Sequence, residues 1–399
     1  MNWLRSSISL IFTLLLIEFL DEFVFGAREA AWPLIKSDLN LTYIQIGLIL
    51  SIPGIISGIV EPFLGILGDV WKRRNLILGG GVIFALALLL VATSQSFWAL
   101  LLAFVLLNPA SGAFVSLSQA ALMDIEPDRH EQNMARWTLA GSVGVFAGPL
   151  IFGGVIFIGY DWRILFGIFS LLTVGILFFV RRSPAFDIKQ RQNGEESPAL
   201  SLASIWEGIL GAFRAVRRRE VLRWLTLLQF SDLMLDILYG YLALYFVDIA
   251  GMNPSQAAWA VAIWTGAGLV GDYLLIPLLE RYSGVRYLRF SALMVLGIFP
   301  AFLLVENWIY KLVLVGILGL LNSGWYAIPQ GRLYSAMPGQ SGTVMTLTNI
   351  FGLVGSLIPL GIGWVAYKYG LDVAMWLILL GPIVLLFGIP RFRSKISKR

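Results

Sequence analysis

The residues of this chain best placed to do chemistry are ionisable groups inside apolar stretches. The first stretch carries Glu18, Asp21, Glu22, Arg28 and Glu29, a second carries Glu61, and later ones carry Asp232, Asp236 and Asp272. A charge at the centre of a bilayer costs about 3 kcal/mol on insertion scales, so each group is expected to face a cavity or a partner. With a helical period, Glu18, Glu22, Phe25 and Glu29 form one stripe with Asp21 and Arg28 on its flank, and that face is expected to point inward. Asp21 and Arg28 lie about 10 Å apart along the axis, too far for a direct pair. Arg28 therefore needs a partner on another helix or on a ligand. Asp232 and Asp236 sit one turn apart, where two desolvated carboxylates do not both ionise, so one is expected to hold a proton. Glu29, near the outer end, is expected to be solvated. Glu61 and Asp272 could equally accept bonds from a neighbouring helix end. With eight acids against one arginine, the set suits reversible proton binding and a cationic or zwitterionic ligand.

Other chemistries lack their residues. There is no cysteine, and His130, in a polar loop, is the only histidine. Disulfides, thiolate metal sites and cysteine nucleophiles are excluded, and neither H-E-x-x-H nor a phosphate-binding G-x-x-x-x-G-K-[ST] occurs. No cofactor, metal site or direct use of ATP is expected, and an enzyme is not expected.

The acids need elements that carry them through lipid. The 399 residues are 58% hydrophobic and 13% charged, with a mean hydropathy of +0.80, whereas globular domains carry about 25% charged residues. Segments of the roughly 20 apolar residues that cross a bilayer are predicted at 8–34, 43–67, 75–94, 98–122, 136–158, 162–180, 221–247, 255–279, 286–304, 308–333, 344–366 and 371–390. In lipid an open bundle satisfies its backbone only as helices, so the fold class is an all-α membrane protein with twelve transmembrane helices. Arg5 before the run Ile8 to Ile17 would also suit a signal peptide, but apolar character resumes beyond the acids and the segment has an internal counterpart near Val221.

That counterpart is part of a duplication. Displaced by 211 residues, the chain matches itself without a gap: Asp21 falls on Asp232, Glu61 on Asp272, Asp69 on Glu280, Gln119 on Gln330, Pro127 on Pro338, Gly144 on Gly355 and Asp161 on Asp372. Two pseudo-symmetric six-helix bundles are predicted, at 1–182 and 220–392, with a cytoplasmic linker at 183–219 and a tail at 393–399. Within the linker, Leu202 to Val216 reads as a weakly amphipathic piece on the membrane face. Basic residues cluster at Lys72 to Arg74, Arg181 and Arg182, Arg214 to Arg219, Arg286 and Arg289, and Arg391 to Arg399. The positive-inside rule then places both termini in the cytoplasm of a prokaryotic plasma membrane, and explains the net charge of +5 without nucleic acid.

Between the second and third segments, Gly65-Ile-Leu-Gly68-Asp69-Val70-Trp71-Lys72-Arg73-Arg74 resembles the G-x-L-x-D-R-x-G-R-R loop of the Major Facilitator Superfamily. Asp124-Ile-Glu126-Pro127-Asp128-Arg129 resembles the acidic-proline-basic stretch that follows that family's fourth helix, and Gly159-Tyr-Asp161-Trp162-Arg163-Ile-Leu-Phe166 its entry to the sixth. The loop departs from the pattern at Val70 and Lys72. Gly65 and Gly68 would let helices approach closely, Asp69 would face a helix N-terminus of the other half, and Arg73 or Arg74 would bond Asp124 or Glu126, forming a cytoplasmic latch. Alternatively the basic residues only fix topology. The resemblance implies a central cavity lined by the first, fourth, seventh and tenth helices, which makes Asn108, Gln119, Asn322, Trp325, Tyr326 and Gln330 cavity candidates. Gly144-x-x-x-Gly148-Pro149 is similar to the glycine-proline motif of drug/proton antiporters, but those antiporters' arginine in the fourth helix is replaced by the Asn108-Pro109 region.

The expected function is secondary active transport of a small molecule by alternating access, driven by protons, with efflux of an amphipathic cationic or zwitterionic compound favoured. A proton-coupled importer of a small metabolite is the alternative, and a non-transporting receptor or scaffold that kept the fold is the rival of a different class. The expected partners are substrate, protons and lipid, and the expected state is a monomer.

Overall fold

The structure, a computed structural model, describes residues 2–70, 73–125, 130–182, 217–337 and 341–390. The described residues form twelve helical segments. In the first half these are α1 (Asn2–Asp38), α2 (Tyr43–Val70), α3 (Arg73–Thr93), α4 (Phe97–Ser111 continued through Leu117–Ile125), α5 (His130–Phe157) and α6 (Trp162–Arg182). The second half has α7 (Arg219–Asp248), α8 (Pro254–Arg281), α9 (Gly284–Leu304), α10 (Trp308–Asn322 and Ala327–Ala336), α11 (Ser341–Gly355 and Ile358–Tyr369) and α12 (Leu371–Gly388). Eleven are long and apolar enough to cross a membrane by composition; α1 is the twelfth, set apart by its acids. Residues 183–216, which hold most of the linker and its amphipathic piece, and the tail lie outside the described residues.

Internal repetition is visible in the packing. In the first half α1 packs on α5 and α3 on α6; in the second, α7 packs on α11 and α9 on α12. Between halves, α2 packs on α11 and its repeat counterpart α8 packs on α5, with α1 against α7 on the axis. Bulky apolar side chains such as Leu102, Leu171, Phe179, Tyr273, Ile276 and Phe387 pave the exterior, where lipid rather than water is their solvent.

Besides a short 3-10 turn at Leu377–Leu379 of α12, four departures from regular helix occur among the described residues where sequence periodicity gives no warning. Pro109 lacks an amide to donate, and α4 relaxes into a π-helical turn over Gly112–Ser116; α7 forms another over Leu233–Ile237, which starts just after Asp232 and contains Asp236. Such turns re-aim side chains and are frequent at functional sites. α10 breaks after Asn322, where Gly324 adopts φ 72°, a backbone region costly for any residue with a Cβ. α11 breaks ahead of Pro359, and the amide of Leu360 donates across the interface to Ser51 Oγ of α2 at 3.0 Å.

The face opposite the two chain ends is sealed between halves. Lys36 Nζ of α1 pairs with Asp248 Oδ2 of α7 at 2.8 Å, and Tyr43 Oη of α2 donates to the same oxygen at 2.5 Å. Ser255 of α8 donates to the carbonyl of Gly153 at 2.8 Å. A Cβ at Gly47 would stand 2.8 Å from the carbonyl oxygen of Pro359, so α2 and α11 meet backbone to backbone. In the same region Arg163 of α6 pairs with Asp38 of α1, within one half.

Candidate functional site

A cavity of about 580 Å³ lies between the halves, below this seal. The described hydrogen bonds between halves at Asp248, Gly153 and Ser51 lie toward the face opposite the chain ends. Asp21, Arg28 and Glu29 reach it from α1, Glu61 from α2, Asn108 from α4, Asp232 and Asp236 from α7 and Tyr326 from the break in α10. The two aspartates related by the repeat thus face one space.

Each acid is held differently. Asp21 Oδ1 accepts from Ser111 Oγ at 2.8 Å, beside the π-helical turn of α4. Glu61 Oε1 accepts from Ser57 Oγ at 2.6 Å, one turn back on α2, and its carboxyl lies against Gly112, where a Cβ would approach the Glu61 Cγ to 2.8 Å. Asp236 is exposed to the cavity and Asp232 is partly so. Opposite them, Arg28 lies 4.7 Å over the Phe25 ring and 5.6 Å from that of Phe104, contacts that favour a desolvated guanidinium.

Arg28 does not look to another helix for its partner, as the sequence suggests it should. Its Nε and Nη2 donate to Glu29 Oε1 at 2.8 and 2.5 Å, and Trp32 Nε1 donates to Glu29 Oε2 at 2.8 Å. Adjacent residues can pair because long side chains bend along the helix, whereas Asp21 is too far down the axis. Glu29, expected in solvent, is 2% exposed.

The inward stripe of α1 is also rotated from expectation. Glu18 and Glu22 do not line the cavity but face α5, where a Cβ at Gly141 would stand 2.6 Å from Glu18 Oε1 and one at Gly144 would stand 2.9 Å from Glu22 Cβ. Close α1–α5 packing sets this rotation: a Cβ at Gly148 would meet the Ala27 amide nitrogen at 2.5 Å. Asp272 is likewise outside the cavity, exposed and directed at the Gly324 amide.

Of the polar candidates on α4 and α10, four lie away from the cavity. Gln119 Nε2 contacts Met134 Sδ at 3.6 Å, Asn322 Nδ2 donates to the Met234 carbonyl at 2.9 Å, and Trp325 is fully buried with its Nε1 donating to Ser291 Oγ at 2.9 Å. Gln330 Oε1 is buried without a hydrogen-bond partner among the described residues. Helix breaks and packing, not residue type, separate these from Tyr326. In the loop motif, Arg74 donates to the Arg181 carbonyl, tying α3 to α6. Gly65, Gly68 and Asp69 fall on the last turns of α2 and Asp124 on the end of α4, but their side chains, and Glu126 altogether, lie outside the described residues.

Several cavity groups escaped the sequence reading: Ser57, Ser111, Gln229, Thr348, Asn349 and Ser356. A signal existed for two. Ser57 sits one turn before Glu61, and Gln229 occupies the repeat position of Glu18.

A duplicated bundle of twelve helices around one acid-lined cavity defines the architecture of a membrane transporter. The family model of the Major Facilitator Superfamily matches residues 11–359, and the chain belongs to that family. A "Probable sugar efflux transporter" of Haemophilus influenzae (strain 86-028NP) is 24% identical over 62% of this chain; the chain spans 60% of that relative's length. The "Multidrug resistance protein MdtG" of Proteus mirabilis (strain HI4320) is 26% identical over 81% of this chain and 79% of its own. Among solved structures, a bacterial homologue of the human lysosomal transporter Spinster, in an inward-facing and unoccupied conformation, superposes with a TM-score of 0.75 at 16% identity, covering 96% of both chains.

Proposed function

We propose that the protein is a proton-coupled secondary transporter that exports an amphipathic cationic or zwitterionic small molecule by alternating access. The observation that carries the reading is the convergence of Asp21, Glu29, Glu61, Asp232 and Asp236 on one cavity against a single arginine whose charge Glu29 already answers. An empty cavity of that charge is stable for the return swing only when protons neutralise part of it, and losing those protons restores the field that holds a cation. Phe25, Leu50, Leu107 and Leu353 supply the apolar wall an amphipathic ligand needs. The chain's relatives, one a probable sugar efflux transporter and one a multidrug resistance protein, support export.

In this reading both chain ends lie in the cytoplasm of a bacterial plasma membrane, so the face closed by Lys36, Asp248 and Tyr43 is the outer one. The halves, 1–182 and 220–392, rock as units of a monomer about the α1–α7 axis, and the Lys36–Asp248–Tyr43 seal opens on the outward swing. A second reading, import of a neutral polar metabolite, draws on Asn108, Gln229, Asn349 and Ser356, whose amides and hydroxyls suit a hydroxylated ligand. Proteoliposomes under an imposed pH gradient test the first: a lipophilic cation such as tetraphenylphosphonium should move against the proton gradient, and a flux indifferent to the gradient would refute coupling.

A further inference from the structure

Among the described residues that line the cavity, Arg28 is the only base, and Glu29 answers its charge without using all of its hydrogen bonds. A guanidinium carries N–H donors on all of its nitrogens in a rigid planar fork. Glu29 Oε1 takes one from Nε and one from Nη2, at 2.8 and 2.5 Å, which leaves the outer N–H of Nη2 and both of Nη1. Nη1 has no hydrogen bond or ion pair among the described residues, and it is not sealed from solvent. The Phe25 and Phe104 rings lie against the guanidinium. What remains for a ligand is the outer edge, Nη1 beside Nη2, the kind of edge that grips a carboxylate through two parallel bonds.

That edge is anchored from behind. Trp32, fully buried, donates from Nε1 to Glu29 Oε2 at 2.8 Å, so both oxygens of Glu29 are engaged. Glu29 in turn packs on α7, where a Cβ at Gly240 would stand 3.5 Å from its Oε2. Asp236 precedes Gly240 by about one turn on the same face of α7. It lines the cavity as Arg28 does, yet the two form no ion pair. A donor edge and a carboxylate that share a cavity without closing on each other leave a gap between opposite charges. A simple cation placed there would gain from Asp236 and be repelled by Arg28, and a simple anion the reverse; a ligand with both signs gains twice.

We infer that this part of the cavity is a head-group site for a zwitterionic substrate, with the substrate carboxylate on the Nη1–Nη2 edge of Arg28 and its ammonium on Asp236. The inference rests on the transport reading above and narrows its ligand to an amino-acid-type head on an apolar body, for which Val24, Leu50 and Leu107 line the wall. Glu29 and Trp32 act through Arg28, as positioning residues that aim the guanidinium. Asp21, about 10 Å farther along α1, stays available to a proton. Tetraphenylphosphonium answers only the acidic part of the cavity, so it reports transport but not head-group recognition.

Titration calorimetry on purified full-length protein tests the site with probes that share a phenyl body. Phenylalanine carries both charges, phenethylamine the ammonium alone and phenylpropionate the carboxylate alone. Wild-type protein should bind phenylalanine about tenfold more tightly than either, the gain expected of charge-assisted hydrogen bonds. Arg28→Gln should erase that advantage and tighten phenethylamine, because a repelling charge has gone; a misfolded variant would lose both ligands. Arg28→Lys keeps the charge without the fork and should still weaken phenylalanine. The wild-type comparison keeps the test open should either variant fail to fold. Either single-charge probe bound as tightly as phenylalanine, a preference for phenylalanine that survives Arg28→Gln, or no binding of any probe would overturn the head-group site, and the flux assay above would then decide cation export by itself. Tetraphenylphosphonium flux indifferent to pH would overturn coupling but not an Arg28-dependent preference for phenylalanine.

Discussion

Position by position, α1 and α7 are the same helix written twice and used differently. Asp21 and Asp232 agree and face one cavity. Glu18 is answered by Gln229, Glu22 by Leu233, Arg28 by Tyr239 and Glu29 by Gly240. Glu18 fills a notch at Gly141 of α5, and Gln229 fills one at Gly355 of α11, the repeat position of the neighbouring Gly144, so an amide packs on a glycine where the charge is dropped. The missing side chain at Gly240 makes room for Glu29, whose Oε2 would stand 3.5 Å from a Cβ there. The difference teaches that duplication preserved the shared cavity and its paired aspartates while the other acids diverged: Glu18, Glu22 and Glu29 have no acidic counterpart in the second half, and Asp236 stands where the first half has Phe25.

The comparison breaks most visibly if the aspartates are unequal. Asp21→Asn and Asp232→Asn should each lower gradient-driven cation efflux on the order of 1000-fold, measured by flux at fixed imposed pH difference; a large effect from only one would show that the halves do not share the site. Glu29→Gln, which makes the first half resemble the second by removing a carboxylate, should free Arg28 toward the cavity. One unit charge at an effective dielectric near 20 is enough to weaken tetraphenylphosphonium binding about tenfold, read by equilibrium binding.

Much of this contrast could be read before any coordinates. The spans, the repeat and the paired aspartates follow from a solvent that forbids unpaired backbone and penalises charge, so they are written in composition and spacing. The rotation of α1 was not. Whether Glu18 and Glu22 or Asp21 and Arg28 see the cavity is decided by three glycines of α5, and nothing local to α1 records them. Trp325 and Tyr326, neighbours in sequence, part company at the break around Gly324, one to the core and one to the cavity. Ser111 became visible only once α4 widened beside Asp21.

Three smaller effects sharpen the comparison. Gly148→Ala should wedge α1 from α5, since its Cβ meets backbone at 2.5 to 2.7 Å. Overpacking of this kind costs about 1 to 3 kcal/mol in thermal unfolding, whereas Gly154→Ala, with nothing within 4 Å, should be neutral. Asp248→Asn should loosen the seal by about 1 kcal/mol. Because the chain has no cysteine, a single pair of labelled cysteines on the outer ends of α1 and α7 would report the shift toward the outward-open population as a longer distance. Least of all, Glu18→Gln should change stability by only about 0.5 kcal/mol or less, since Gln229 shows that an amide fits the same kind of notch.

The central claim is that protons and a cation share one acid-lined cavity on opposite strokes. Recording the pH inside proteoliposomes with a trapped dye while following tetraphenylphosphonium tests it most directly. The account predicts that each pulse of cation movement is matched by protons moving the other way, and that Asp21→Asn and Asp232→Asn silence both signals together. Cation movement with no accompanying change in internal pH would contradict it.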